Sequence, residues 1–401
     1  MYVLQQGKSS CRSKLDNIFR PVVLASQLFG AAPLPWKGFA DPEIIANQNL
    51  TWVKFLCVLQ NVWTLVFYGG NVYSIYTQIQ IFAGQNAVGS SFVQILVRIV
   101  TVYSIIITTT IFIGCRMHWE KYNELAAKLI DLVYGLDFFD GSNIFEKPFQ
   151  RHWKLMVLTV LLAAACVICE FATNFDVLSS FIYLIGYHTS NIIILLTLSQ
   201  YNFAMGIVYE SCKCARRAME SLAQKQSSLN ATDLVNAVRI LRNKNLQAWH
   251  LLYGINKTFG WLLINVILNV TISTSVEVLE IYQFCRKLTF DQNDFVYLFY
   301  VLVVIALLVD QIFQVLYPNH LVKLEMIKTG LNLCQFNKVE IMDEVRSFSE
   351  LILMQEDKLE ACGIVELDLS VLAAMVGVLT TYVVLMIQYD KSSYKMFETP
   401  T

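Results

Sequence analysis

Charge is what this chain has least of. Only 15% of its 401 residues are Asp, Glu, Lys or Arg, against 56% hydrophobic residues, and the mean hydropathy is +0.50. A chain this size and this apolar would not stay soluble, so a soluble globular protein is excluded. The formal net charge is −1, and no nucleic-acid partner is expected. Internal repeats, low-complexity tracts and a separable soluble domain are also missing. No phosphate loop, metal-ligand cluster or catalytic triad is present, so the sequence predicts neither an enzyme nor a cofactor. A cleavable signal peptide is not expected either. The apolar run 22–28 is short, and Phe29, Pro33, Pro35 and Trp36 follow it in place of a small-residue cleavage site.

What the chain does have is long apolar stretches. A helix needs about 20 apolar residues to cross the hydrocarbon, and seven stretches qualify, near 52–76, 90–114, 153–175, 177–208, 258–284, 295–317 and 367–389. An odd number of spans puts the two ends on opposite sides. Basic residues stay cytoplasmic: the leader with Lys54, and the segments 115–154, 209–257 and 318–360, hold 25 Lys and Arg, while the alternate connections hold four, Arg286, Lys287, Lys391 and Lys395. The expected fold is therefore an all-α polytopic membrane protein, amino end inside and carboxyl end outside. It reads as one membrane domain over 1–401. That domain divides into a leader 1–51, six helices with cytoplasmic extensions over 52–317, a cytoplasmic segment 318–360, and a final helix with a short outer tail over 361–401. The four Asn-x-Thr triplets, at Asn49, Asn230, Asn256 and Asn269, all fall inside or within a span, in keeping with this polarity.

Ten cysteines do not imply disulfides here, since only Cys285 lies near the outer face. Cys166 and Cys169 have metal-pair spacing but sit inside an apolar helix with no second pair, and read as structural. Cys212 and Cys214, among basic residues just below a span, read as juxtamembrane thiols, with acylation the alternative. Helical spacing of Leu234, Val238, Leu241 and Leu246, and of Ile341, Val345, Phe348, Leu351 and Met354, predicts two amphipathic helices in the cytoplasmic segments. Each has an apolar face to bury, within the chain or against another subunit.

Ionisable residues inside spans need a partner, a wet cavity or a function. Arg98, Glu170, His188, Glu277 and Glu280 all fall in the outer halves of their helices. Ser91, Gln94 and Arg98 share one helical face, Tyr183, Tyr187 and Asn191 another, and Ser273, Glu277 and Glu280 a third. Tyr68, Tyr73, Tyr297 and Tyr300 add rings at that level. Together these predict a pocket for a small, partly polar molecule; the alternatives are ion pairing of Arg98 with Glu170 or Glu277, and interfacial anchoring of the tyrosines. Asp310, with Gln311 and Gln314, lies deeper and reads as a buried carboxylate bonded to a neighbour, the alternative being a group that couples this helix to the last one.

The chain closes Thr381-Tyr382, five mostly apolar residues, Gln388-Tyr389. The final helix is led in by Ala361-Cys362-Gly363-Ile364-Val365-Glu366-Leu367-Asp368. Near the start stand Phe19-Arg20-Pro21, Leu28-Phe29-Gly30 and Pro33-Leu34. In this order the motifs resemble those of insect gustatory receptors, whose usual last aromatic, Phe, is replaced here by Tyr389. The resemblance implies a tastant-gated, non-selective cation channel in the plasma membrane of chemosensory neurons. It also implies tetramers, of one chain or of related chains, built on a cytoplasmic anchor with the final helix lining the pore, and a ligand cavity in the outer halves of the second to sixth helices.

Thr381, Leu385 and Gln388 follow at i, i+4 and i+7 and so share a stripe, and Leu385, Gln388 and Tyr389 match gate positions of the family. The pocket residues are then Gln94, Arg98, Glu170, Tyr183, Tyr187, His188, Asn191, Glu277, Tyr297 and Tyr300. Sugar-sensing members resemble one another in an acidic residue after Thr-Tyr. Val383 stands there, which favours a bitter or plant-derived ligand over a sugar. The competing readings are an odorant receptor subunit, an ion-coupled transporter using Arg98, Glu170 and Asp310, and a G-protein-coupled receptor, which the polarity opposes.

Overall fold

The computed structural model describes residues 19–32, 50–84, 91–137, 146–173, 188–285, 292–355 and 359–397. These are helical almost throughout, as a bilayer demands: with no water in the hydrocarbon, only a helix satisfies its own backbone. After a leader helix over 19–28 come α1 (Leu50–Gly84), α2 (Ser91–Met117), α3 (Trp119–Asp137), α4 (Glu146–Thr173), α5 (Thr189–Lys225), α6 (Ala231–Cys285), α7 (Gln292–Leu333), α8 (Met342–Met354) and α9 (Ser370–Phe397). The strands β1 (Glu360–Ala361) and β2 (Val365–Glu366) stand between α8 and α9. Among the described residues, α5, α6, α7 and α9 are long and apolar enough to cross a membrane, while 102–117 of α2 and 156–169 of α4 are shorter apolar stretches. The predicted first span, 52–76, lies within α1, and the first part of the fourth, 177–187, lies outside the described residues.

Hydroxyl groups sit in these apolar helices at little cost because they bond back to their own backbone. Ser104, Thr108 and Thr109 on α2 reach the carbonyls of Val100, Ser104 and Ile105, and Thr271 and Ser275 on α6 do the same.

The core lies where α5, α6 and α7 pack together, with α2, α3 and α4 around them. At its centre Asn319 Nδ2 donates to Tyr201 Oη (2.6 Å), Tyr201 Oη donates to Asn256 Oδ1 (3.2 Å), and Asn256 Nδ2 donates to Asn319 Oδ1 (2.7 Å). All three side chains are buried. Pro318, inside α7, removes a backbone donor there, and the Asn319 amide also reaches the Val315 carbonyl (3.4 Å).

The leader helix is locked onto this core. Phe19 stacks on Phe203 with ring centroids 4.2 Å apart, and the Ala31 carbonyl accepts from Gln200 Nε2 at 2.8 Å. Gly30 has φ +76°, and a Cβ there would lie 2.8 Å from the Phe112 ring.

Below the spans, α5 and α6 run on as helices, separated only by the turn near 226–230. Arg216 of α5 donates to Glu325 of α7 at 2.8 Å, and Arg242 of α6 pairs with Glu344 of α8 at 3.1 Å. The apolar faces of the two predicted amphipathic helices are used inside the chain: Leu234, Val238 and Leu241 are buried, as are Ile341, Val345 and Phe348. Met354, at the end of α8, stays exposed.

The β-hairpin departs from an otherwise helical chain, and its turn explains it. The Ile364 amide donates to the Ala361 carbonyl (3.0 Å), with Cys362 at φ +53° and Gly363 at φ +71°. Two left-handed residues in succession make the turn whose twist suits paired strands. The hairpin presses on α6 at Gly260, where a Cβ would lie 2.7 Å from Cys362 Sγ and 3.1 Å from its backbone nitrogen. Gly260→Ala is therefore expected to destabilise the fold by about 1–3 kcal/mol, read as a lower Tm in detergent. Cys362→Gly, which removes the sulfur and suits the positive φ, restores part of the loss in the double variant.

Candidate functional site

α4, α5 and α7 line a half-open cavity of about 450 Å³, within the size range of small-molecule sites. Ala163 and Ala164 of α4 make the room, and Ile192, Leu195 and Leu307 give apolar walls. Polar groups converge on it from α5 and α7. His188 and Asn191 lie at one end, and Asn202 and Gln314 at the other. Asn191 Oδ1 accepts a long bond from Gln311 Nε2 (3.4 Å).

Gln314 organises the second end. Its Nε2 donates to Asp310 Oδ2 (2.7 Å) and to Thr159 Oγ1 (3.0 Å), and its Oε1 accepts from Asn202 Nδ2 (3.1 Å). Thr159 Oγ1 in turn donates to Asp310 Oδ2 (2.8 Å). Asp310 is thus the hydrogen-bonded carboxylate its sequence setting predicts.

The ten residues expected in a pocket are not all brought together. His188 and Asn191 share the cavity. Tyr297 forms a second group: its hydroxyl donates to Glu280, joining α7 to α6, and its ring lies 6.3 Å from that of Tyr300. Glu277 is one turn before Glu280 on α6, and one of its carboxylate oxygens is buried with no hydrogen-bond partner among the described residues. None of Glu277, Tyr297 and Tyr300 lines the 450 Å³ cavity. Gln94 and Arg98 lie on α2 and Glu170 near the end of α4; Tyr183 and Tyr187 lie outside the described residues. Tyr68 joins α1 to α2 through Thr109 Oγ1 (2.6 Å).

Sequence reasoning missed the α4 wall. Thr159, Ala163, Ala164 and Val167 read as ordinary span residues, and the one signal was the unbroken run Ala163-Ala164-Ala165, which marks a place where a helix gives up volume.

The second candidate region is α9. Past its first turns little of it packs on the rest of the chain, and Val376, Tyr382 and Leu385 are each more than half exposed. Thr381, Leu385 and Gln388 are all exposed, and the Thr381 hydroxyl bonds back to the Gly377 carbonyl (2.9 Å). Tyr389 follows on the same helix, which continues to Phe397, beyond the expected end of the span. Asp368 caps its start by accepting from the Leu369 amide (2.6 Å), and the same carboxylate faces His320 Nδ1 (3.3 Å) and Lys323 Nζ (3.8 Å) of α7.

A family model described as 7tm chemosensory receptor matches residues 19–393. Comparison with curated proteins gives no match. Among solved structures, the fold is similar to insect olfactory receptor OR5 from Machilis hrabei in complex with eugenol, with TM-score 0.63 and 13% identity over 94% of this chain and 99% of that chain. A second structure of that receptor gives a TM-score of 0.58 at the same identity and coverage. At 13% identity the likeness is one of fold.

Thr159→Val removes one of two donors to a carboxylate that has little water to replace it. The variant is expected to lose about 1–3 kcal/mol, measured as a lower Tm, whereas Thr159→Ser should hold the wild-type value.

Proposed function

The chain is a member of the 7tm chemosensory receptor family, and on that footing we propose that it is a gustatory receptor acting as a tastant-gated, non-selective cation channel. The observation that carries the proposal is α9, an apolar membrane-length helix most of whose surface is left uncovered by its own chain among the described residues. A helix of this kind borders lipid on one side, and four copies, of this chain or of related subunits, would enclose a path on the other. Its stripe of Thr381, Leu385 and Gln388, with Tyr389 beyond, mixes hydroxyl, apolar and amide groups, as a gate requires.

The ligand site we assign to the cavity of α4, α5 and α7, with His188 and Asn191 as polar contacts at one end. Its walls are mostly aliphatic, which suits a bitter or plant-derived compound with one or two polar groups better than a sugar, whose many hydroxyls would lack partners. Coupling runs along α7. The helix carries Gln314 at the cavity and His320 and Lys323 at the base of α9, so a shift of α7 on ligand binding reaches the pore helix through Asp368. The ligand opens the channel only to the extent that it binds the open arrangement more tightly.

The test is calcium entry in cells expressing this chain alone, challenged with panels of plant-derived compounds and sugars. Cysteines placed by Leu385→Cys and Gln388→Cys should react with aqueous thiol reagents and alter the evoked current. Labelling of neither site in any state would overturn the pore assignment. His320→Ala is expected to reduce the maximal response several-fold while leaving surface expression unchanged, because it acts on transmission and not on the ligand site.

A further inference from the structure

A second cavity, about 390 Å³, opens where the end of α2, the start of α3 and the middle of α6 meet. It plays no part in the proposed gating. We propose that it binds an anionic glycerophospholipid, with the phosphate headgroup held by Lys121, Lys257 and His118 and the acyl chains lying along Ile113, Met117 and Trp261.

The corner is built by the chain itself. α2 ends at Met117 and α3 begins at Trp119, and between them the His118 carbonyl accepts from the amides of Lys121 (3.0 Å) and Tyr122 (3.3 Å). Tyr122 packs edge-on against Phe259 of α6, ring centroids 5.4 Å apart, and deeper in the membrane Tyr103 of α2 donates to Asn265 of α6 (3.2 Å). The walls are therefore fixed to each other on both sides of the opening.

Chemistry changes at one level on both helices. On α6, Lys257 stands one turn before Trp261, about 6 Å along the axis. On α2, Ile113 and Met117 run into His118 and Lys121. Ile113, Met117 and Trp261 are each more than half exposed, as suits side chains facing acyl chains. The cations lie just beyond them, where the hydrocarbon gives way to headgroups.

Among the described residues the charges have no acidic partner. No residue lining the cavity is acidic, and among the described residues neither Lys121 nor Lys257 makes an ion pair. Several other basic groups on the cationic side are matched: Arg216 by Glu325, Arg242 by Glu344, Lys328 by Glu325 and Lys128 by Glu124. Two unmatched ammonium groups and a histidine above an apolar slot complement one phosphate carrying two hydrocarbon tails. Placement in the cytoplasmic leaflet rests on the Lys and Arg polarity of the chain; binding itself does not.

The experiment uses the full-length protein purified in a neutral detergent. Tm is followed while phosphatidylserine or phosphatidylcholine is added in mixed micelles, with inorganic phosphate at equal concentration as a third arm. Phosphatidylserine should raise Tm by several degrees while phosphatidylcholine and phosphate do not. The double variant Lys121→Ala/Lys257→Ala should need roughly 30-fold more phosphatidylserine for the same rise, and Lys128→Ala should respond as wild type. An equal response of the double variant, or reproduction of the effect by phosphate alone, would overturn the proposal. A photoactivatable phosphatidylserine on the unmutated protein gives an answer even if the variant does not fold: crosslinks should map to 113–121 and 257–261, and crosslinks confined elsewhere refute the site. These readouts involve no gating, so the channel proposal can fail while this one stands.

Discussion

The closed ring of hydrogen bonds among Tyr201, Asn256 and Asn319 is the constraint from which the rest of the architecture follows. Each of the three side chains comes from a different long helix, each is buried, and each both gives and receives a bond. Removing any one leaves the other two with buried polar atoms, at a cost of about 1–3 kcal/mol for each orphaned group. A purely apolar contact at this point would let α5, α6 and α7 slide along one another, because in lipid the apolar surfaces of neighbouring helices gain little from meeting. The ring fixes their register, and Pro318 beside it marks where α7 is free to bend.

With the register fixed, α7 becomes the member that touches every functional element. Gln314 reaches α4 and α5 at the cavity, Asn319 holds the ring, His320 and Lys323 face the base of α9, and Glu325 pairs with Arg216. From Gln314 to Lys323 is nine residues, or about 14 Å of helix. The polar side chains along this stretch are spaced so that nearly every turn carries one hydrogen-bonded contact to a different partner. On the proposed function, a displacement at the cavity end would travel along these contacts toward α9.

Much of this was legible in the sequence, for reasons that differ by element. The long helices follow from apolar length alone, and the burial of Val345 and Phe348 from helical spacing. Asp310 was legible because a carboxylate in a span must find a donor; of its two glutamine neighbours in sequence, Gln314, one turn on, supplies one, and Thr159 of α4, which the sequence did not point to, supplies the other. The hairpin was not, since strands of two residues carry no periodicity; only Cys362-Gly363 hinted at a turn, and Cys362 is a residue type that rarely adopts positive φ. The cavity was half legible. His188 and Asn191 are polar and stand out, while the α4 wall works by what Ala163 and Ala164 lack, and an absence of volume has meaning only once the facing helix is known. The ring itself escaped notice because Tyr201, Asn256 and Asn319 are 55 and 63 residues apart, with nothing local to connect them.

The way α9 is attached completes the picture. Its base is held firmly: Leu359, Ala361 and Leu367 are buried, the Leu367 amide donates to the Leu359 carbonyl (2.7 Å), and the hairpin meets α6 where Gly260 allows close approach. Beyond Met375, Met386 is the one buried residue of the helix among the described residues. A helix clamped at one end and loosely held along its length has one soft motion, a tilt about the clamp. On the proposed function that tilt is the gate, and the distribution of contacts gives it a direction. At the base, where Asp368 meets α7, a small displacement costs hydrogen bonds. At the far end, where Leu385 and Gln388 lie, the same rotation moves side chains much farther and breaks few bonds within the chain. On the proposed function, sensitivity to the bundle thus lies at the base of α9 and freedom to move at its far end, and the short hairpin, too small to be a domain, is part of the clamp at the base.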